Sequence, residues 1–371
     1  MLNSLSIEGF RCFESFRLRN LGRINLLVGR NNSGKTSVLE AIQLLTSDTP
    51  LKALRDSLLS RGEYMLSEER GRRRDPRDLD IKHLFAGHTL CEGSSFSLSA
   101  ETAQGTNKIA MKIEETDWPA KQDHPLYPSV NGDSEDLPGI LLSIRLGNNP
   151  DEVLKIPLSS EYGLPITYVD RLRKDPKNLE YRTRFVPSSS LTRENMIELF
   201  DEVVLQPEEA FIIEALQAIE PNIERIAAFG VDNFPARATR GGFVVRLKGN
   251  EQRIPIGSMG DGIWRMLGLT LAIVNARNGY LLIDEIDTGL HFTAMANLWN
   301  LLWHASNRLN VQVFATTHSS DCWKSLETIS DQSLPTDNSV TIHRIERNAA
   351  ESIVFTKNQI SIAAENDIEV R

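Results

Sequence analysis

The chain has 371 residues, 40% of them hydrophobic, with a formal charge of -9 at pH 7. That is enough apolar material for a large core in one or two lobes, and the acidic balance excludes a protein coated in basic surface while leaving room for a local basic groove. No apolar run has the length of a membrane span, and Cys12, Cys91 and Cys322 are too scattered for a disulfide framework or a paired zinc motif, so all three read as ordinary thiols.

In chain order, LSIEGFRCFESFRL (5–18) alternates like a β-hairpin and not like a secretion signal, so a cytoplasmic protein is expected. INLLV (24–28) is a short apolar strand, followed directly by GRNNSGKTS (29–37) and the helical pattern SVLEAIQLL (37–45). This strand, loop and helix make a phosphate cradle. Gly29 and Gly34 let the backbone turn tightly and aim its N–H groups inward, and the new helix adds its positive dipole end. Arg30, Asn31, Asn32, Ser33 and Ser37 complete the loop. Lys35 can reach the β- and γ-phosphates, and the Thr36 hydroxyl is aimed at Mg²⁺. ATP and Mg²⁺ are therefore the expected ligands.

From about residue 50 to 80 the chain is strongly charged, peaking in SEERGRRRDPRD (67–78), which reads as a solvated excursion. FSLSAE and KIAMKIEE, within 96–115, return to strand alternation. The Pro-, Asn-, Asp- and Ser-rich stretch at 117–138 predicts an irregular surface loop, and ILLSIRL (140–146) another strand. After PITYVD (165–170), the segment 191–229 reads as two amphipathic helices broken near Pro207, a short helical arm too brief for a long coiled coil. GGFVVRLKG (241–249) is a further strand. The remaining order, GDGIWRMLGLTLAIVNA, YLLIDE, FTAMANLWNLLWHAS and VQVFATTHS, is helix, strand, helix, strand, which predicts an α/β fold with a buried parallel sheet. The expected division is an N-terminal nucleotide-binding lobe at 1–165, a helical arm region at 166–240, a C-terminal lobe at 241–345 and a tail at 346–371.

YLLIDE (280–285) is an apolar strand ending in two carboxylates, as a phosphate-loop enzyme needs opposite its lysine. Asp284 is placed to hold the Mg²⁺ shell. Glu285, pointing to the other side of an extended chain, is the candidate for polarising the attacking water. VQVFATTHS (311–319) repeats the design, and puts His318 where a γ-phosphate sensor belongs. In IPIGSMGDGIWRML (254–267) a Ser-x-Gly-Asp-Gly turn opens a helix, so Ser258, Gly260 and the helix dipole form a second anion site. One nucleotide does not need two cradles on one chain. The second is expected to close over a nucleotide held by another subunit, in a two-fold head-to-tail sandwich.

On these motifs the chain resembles a P-loop NTPase of ABC-ATPase type from the structural-maintenance and RecF branch, closest to the ATPase portion of OLD-family proteins. GRNNSGKTSVLEAI matches Walker A, SMGDG the ABC signature, LLIDE Walker B and ATTHS the switch histidine. The resemblance implies an ATPase that turns ATP into ADP and phosphate as a homodimer, with Lys35, Glu285 and His318 in catalysis and Ser258 acting in trans. Transporter-type ATPases carry an Asp where DEIDTGLH has His291, which disfavours a transporter; no glutamine is assigned to a Gln-loop. OLD nucleases continue into a Toprim domain that the segment after His318 does not hold, so a nuclease is expected on a separate chain. The leading expectation is a switch controlling such an effector, as stand-alone relatives do in antiphage defence. The alternative is a RecF-like DNA clamp in repair, with Arg70, Arg72, Arg73, Arg74 and Arg77 on phosphates. A slow nucleotide-binding scaffold is disfavoured by the intact Glu285 and His318.

Overall fold

The computed structural model describes residues 1–66, 76–116, 139–147, 153–159, 161–171, 182–229, 242–330 and 339–370. Arg70, Arg72, Arg73 and Arg74 of the basic excursion, and the expected loop at 117–138, lie outside the described residues. The chain begins with β1 (Leu2–Phe10), β2 (Phe13–Leu18) and β3 (Ile24–Val28), then α1 (Lys35–Thr46) and α2 (Pro50–Ser60). Six strands follow, β4 (Tyr64–Leu66), β5 (Pro76–Asp80), β6 (Ser95–Thr102), β7 (Gly105–Thr116), β8 (Gly139–Leu146) and β9 (Val153–Pro157), and after them β10 (Gly163–Pro165), α3 (Ile166–Arg171) and β11 (Thr183–Val186). Next come α4 (Arg193–Asp201), α5 (Glu209–Gln217), β12 (Ile223–Ala228), β13 (Phe243–Leu247), β14 (Ile254–Pro255), α6 (Asp261–Asn275) and β15 (Tyr280–Ile283). The last elements are α7 (Met295–Leu309), β16 (Gln312–Thr316), α8 (Ser320–Ser325), α9 (Glu327–Ser330), β17 (Val340–Arg344), β18 (Ile353–Phe355) and α10 (Lys357–Glu365).

Strands β3, β15 and β16 are buried at every position, the pattern of strands covered on both faces. They lie at the centre of a six-stranded sheet of order β11-β15-β16-β3-β17-β18. Pairing is parallel from β11 to β17, and β18 closes the edge antiparallel. Alternate residues of these strands feed opposite cores. Leu26, Leu281, Ile283, Val313 and Ala315 join the cluster that holds α4 to α7, whereas Leu27, Leu282 and Phe314 join the one that holds α1, α2 and the second sheet. That second sheet, of order β2-β1-β6-β7-β8-β9, is antiparallel throughout. The α/β architecture expected from the sequence is the one observed.

The expected helical arm at 166–240 is corrected in three respects. The helix pair broken near Pro207 is present as α4 and α5, but Met196, Phe200, Phe211, Ile212 and Leu216 bury into the core beside α6, so the pair is part of the lobe. The same stretch supplies β11, which pairs with β15 at one end of the central sheet. In addition, IERIAA was read as helix and is the strand β12, paired with β13. Pro221 ends the helical pattern, and the edge of β13 satisfies a backbone that the isolated sequence leaves undecided.

A polar cluster lies inside the sheet where β3 meets β17. The Thr341 hydroxyl donates to Asn25 Oδ1 at 3.0 Å and lies 3.0 Å from His343 Nε2, whose Nδ1 lies 3.2 Å from the Ser352 hydroxyl. With its only proton given to Asn25, the Thr341 hydroxyl accepts, so Nε2 carries the imidazole proton and Nδ1 accepts from Ser352. Burial pushes the His343 imidazole down to about 3. Between the ordinary histidine value and that one, the unfolded chain binds a proton that the folded chain refuses, so stability is full above pH 6.5 and falls on acidification. Each pH unit in this window costs about 1.4 kcal/mol. Thermal midpoints measured from pH 7 to pH 4 should fall more steeply for the natural protein than for His343→Gln; parallel curves would show that His343 is not the proton-linked group.

Candidate active site

The C-terminal ends of three parallel neighbours, β3, β16 and β15, bring the predicted groups to one edge of the sheet. After β3 the chain turns through Gly29, at φ 145°, and Gly34, at φ 100°, the latter capping α1. Neither position has room for a side chain. A Cβ on Gly29 would sit 2.4 Å from the Ile345 carbonyl oxygen, and one on Gly34 would sit 2.3 Å from Phe13 Cζ and 2.8 Å from Cys12 Sγ. The β1–β2 turn is therefore seated directly on the phosphate loop.

Lys35 is buried, and its ammonium donates to the carbonyls of Gly29 at 2.8 Å and Arg30 at 2.9 Å, across the mouth of the loop. Burial lowers its pKa, and the carboxylates of Asp284 and Glu285 act in the opposite sense. Ser33 is buried too, with a hydroxyl that has no protein partner. A polar atom left without a partner is costly, and a phosphate oxygen is an acceptor of the kind it lacks. Arg30, Asn31 and Asn32 are exposed, whereas Ser37 is buried at the start of α1.

The Thr36 hydroxyl lies 3.1 and 3.3 Å from the two carboxylate oxygens of Asp284, and the Thr316 hydroxyl donates to Asp284 Oδ1 at 2.7 Å. This is a set of hard oxygens. It fits Mg²⁺, which takes only one or two protein ligands and fills its octahedron with water and phosphate oxygens. Among the described residues no group of three or more His, Cys, Asp and Glu could hold a metal by itself.

Glu285 is placed by a mechanism other than the expected one. Strand β15 ends at Ile283, and Glu285 has φ 48°, in the left-handed region, so a backbone turn and not strand alternation separates the two acids. The turn is held from several sides. Thr316 Oγ1 accepts from the Glu285 N–H at 2.8 Å, the Thr288 hydroxyl donates to Oε2 at 3.1 Å, and His318 Nε2 lies 3.0 Å from Oε1. The His318 contact, more than any other, lowers the Glu285 pKa, against burial and with help from Thr288. The carboxylate is thus ionised at neutral pH, as a group that accepts a proton from water must be.

Lys35, Thr36, Asp284, Glu285 and His318 are thereby in one cluster. Ser258 and Gly260 are not part of it: both are exposed, in a 3₁₀ turn and at the cap of α6, and among the described residues no hydrogen bond or ion pair joins them to the phosphate loop. Gly260, at φ 93° and ψ 169°, takes a conformation that favours glycine. Five contributors were missed in the sequence: Thr316, Thr288, Thr317 and Asp287, which are bonded at 2.6 Å, and Arg265 on α6. A lone arginine in the apolar run GIWRMLGLTLAIV was the one legible signal among them.

Two family models match the chain: one described as "AAA ATPase domain" over residues 1–124, the other as "AAA domain, putative AbiEii toxin, Type IV TA system" over residues 160–321. An "ATP/GTP phosphatase" of Helicobacter pylori is 24% identical over 336 residues, covering 86% of each chain. The DNA replication and repair protein RecF of Clostridioides difficile is 35% identical over 60 residues, 16% of each chain. Among solved structures, the Smc head domain bound to the C-terminal domain of ScpA from Pyrococcus furiosus covers 99% of both chains at 12% identity and a TM-score of 0.48. With the sheet order and the motif placement, the two models make this chain a phosphate-loop ATPase of the AAA/ABC type.

Lys35→Ala should abolish nucleotide binding, whereas Glu285→Gln should keep ATP affinity within about threefold and lower turnover by about a hundredfold or more, since one change removes a phosphate contact and the other only the base. Fluorescent-nucleotide titration beside phosphate release checks this, and equal loss of affinity in both would overturn the assignment. Gly34→Ala should lower stability by about 2 kcal/mol or more and weaken ATP binding with it, because both the backbone conformation and Phe13 resist a Cβ. Denaturant unfolding would reveal a tolerated side chain as an unchanged midpoint.

Proposed function

We propose that the chain is an ATP-hydrolysing switch of OLD and RecF type, working as a head-to-tail homodimer and controlling a separately encoded effector, such as a Toprim nuclease, in antiphage defence. The observation that carries the reading is Glu285: a carboxylate held ionised in a left-handed backbone turn, bonded to His318 and Thr288, and directly following the Asp284 that Thr36 contacts. A passive nucleotide scaffold has no use for such a group.

In this reading the loop N–H groups, Lys35 and the Ser33 hydroxyl bind the β- and γ-phosphates, and Thr36 and Asp284 hold Mg²⁺, which neutralises charge on the phosphates. Glu285 orients the attacking water and takes its proton. His318 fixes the carboxylate and lies beside the position of the γ-phosphate. Exposure of both Ser258 and the outer loop residues Arg30, Asn31 and Asn32 supports closure against a second copy. The match to a model described as "AAA domain, putative AbiEii toxin, Type IV TA system" supports a part in a system of two components. The match to RecF supports a second reading, a DNA clamp in repair, in which duplex DNA would stimulate the ATPase.

The dimer is tested by light scattering of Glu285→Gln, in which turnover is blocked. ATP should convert it from monomer to dimer, and Ser258→Arg in the same background should prevent the conversion; a mass unchanged by ATP would remove the sandwich. Phosphate release measured with and without duplex DNA separates the two biological readings, the clamp requiring stimulation and the effector switch none.

A further inference from the structure

Helix α6 is buried at every position from 263 to 275, and all but a few of these residues are apolar. Arg265 is the exception in kind. It is 3% exposed, and its guanidinium donates to three carbonyls: Pro187 at 2.7 Å, Asp284 at 3.0 Å and Glu285 at 3.1 Å. Pro187 follows β11, and the other two follow β15, so one planar fork joins α6 to the ends of two neighbouring strands. Burial pushes the guanidinium pKa down to about 10, with Asp284, Asp287 and Glu285 acting in the opposite sense, and the group remains charged at neutral pH.

Burying such a charge is expensive, and an apolar side chain of similar volume commonly serves stability as well or better. The location of the three carbonyls suggests what the charge does instead. Glu285 is in the left-handed region, and its peptide groups are gripped at both ends, the N–H by Thr316 and the carbonyl by Arg265. Arg265 is also only one helical turn from the start of α6, where Gly260 caps the helix. The same end of α6 abuts the chain just past the acids, since a Cβ on Gly262 would lie 3.5 Å from the Gly289 carbonyl oxygen. Any shift of α6 along its axis must therefore pull on the backbone that carries Glu285.

We propose that Arg265 is a positioning residue that couples the exposed N-terminal cap of α6, at Gly260 and Asp261, to Glu285, so that a nucleotide held by a second copy of this chain, docked on Ser258 and Gly260, sets the carboxylate of this chain's own site. The coupling rests on the sandwich reading above. It makes each site's turnover depend on closure at the other, through a rigid helix and one guanidinium. No bond of the reaction involves Arg265 itself.

The test uses Arg265→Lys, which keeps the charge but not the fork, and Arg265→Met, which keeps the volume, in the full chain. Turnover should fall about tenfold with Lys and about a hundredfold with Met, while ATP affinity stays within about threefold, because a displacement of about an ångström at a catalytic group costs that much. ATP-dependent cross-linking, measured with each change in the Glu285→Gln background, should persist. Unchanged turnover in Arg265→Lys, or loss of turnover, affinity and thermal midpoint together, would overturn the coupling while leaving the sandwich standing. Absence of ATP-dependent cross-links when Arg265 is intact would overturn the sandwich, and the coupling with it. Amide exchange needs no change at Arg265, so it decides the matter even if neither variant folds. A non-hydrolysable ATP analogue should protect residues 283–290 about tenfold more in the otherwise natural protein than in Ser258→Arg, and equal protection would overturn the coupling.

Discussion

The hydrogen bond from the Thr36 hydroxyl to the Asp284 carboxylate joins residues 248 positions apart, and the rest of the architecture is arranged so that it can form. Thr36 stands on the first turn of α1, and Asp284 is the first residue beyond β15. Their strands are not neighbours: β16 lies between them, and its last residue, Thr316, bridges the gap by donating to Asp284 and accepting from the Glu285 N–H. Only a parallel arrangement puts all three C-terminal ends on one edge. Each parallel pair then requires the chain to leave the sheet and return, and those excursions are the two lobes. The lobes are thus a consequence of the site's topology as much as of hydrophobic burial.

The back of the phosphate-loop helix is fixed by charge. Glu40, buried on α1, accepts from Arg11 Nε at 3.1 Å, from the Ser57 hydroxyl at 2.6 Å and from Arg61 Nε at 2.6 Å, and Arg11 also donates to both oxygens of Glu63 at 2.8 and 2.7 Å. Such a network is poor evidence for net stability, because desolvation of each charge offsets much of the attraction. Its effect is geometric. It locks the β1–β2 turn, α1 and α2 into one unit, and that turn carries Cys12 and Phe13 onto Gly34. The loop's shape is thereby imposed from outside by the lobe, while its inner surface keeps the unpartnered Ser33 hydroxyl.

What the sequence revealed and what it concealed divide along a physical line. The loop at 29–37, the acid pair after YLLI and the histidine after VQVFAT were legible because each is a short polar interruption at the end of an apolar run, which is a local signal. Strand β12 was not, since IERIAA satisfies a helical pattern as well as an alternating one, and only pairing with β13 decides between them. The packing of α4 and α5 against α6 was hidden for a related reason: amphipathic helices announce a buried face but not the surface that covers it. The means of separating Asp284 from Glu285 was misread: strand alternation was expected, whereas β15 ends at Ile283 and Glu285 is a left-handed residue.

Lys35 shows how the site trades partners. Its ammonium is already satisfied by two carbonyls of its own loop, so a triphosphate bound there would not supply a missing contact but would replace one set of oxygens with another. The exchange favours the ligand only through charge, because a carbonyl carries a partial negative charge and a phosphate oxygen a formal one. The same field works against the ligand at the acids, where Asp284 and an ionised Glu285 would repel a polyanion. Thr36 and Asp284 would hold a divalent cation that offsets this repulsion, and Glu285, bonded instead to His318 and Thr288, would stay ionised. In the proposed ATPase the two adjacent acids would take different roles, Asp284 toward a cation and Glu285 toward water. The left-handed turn at Glu285, gripped by Thr316 and Arg265, is what gives the two acids different contacts.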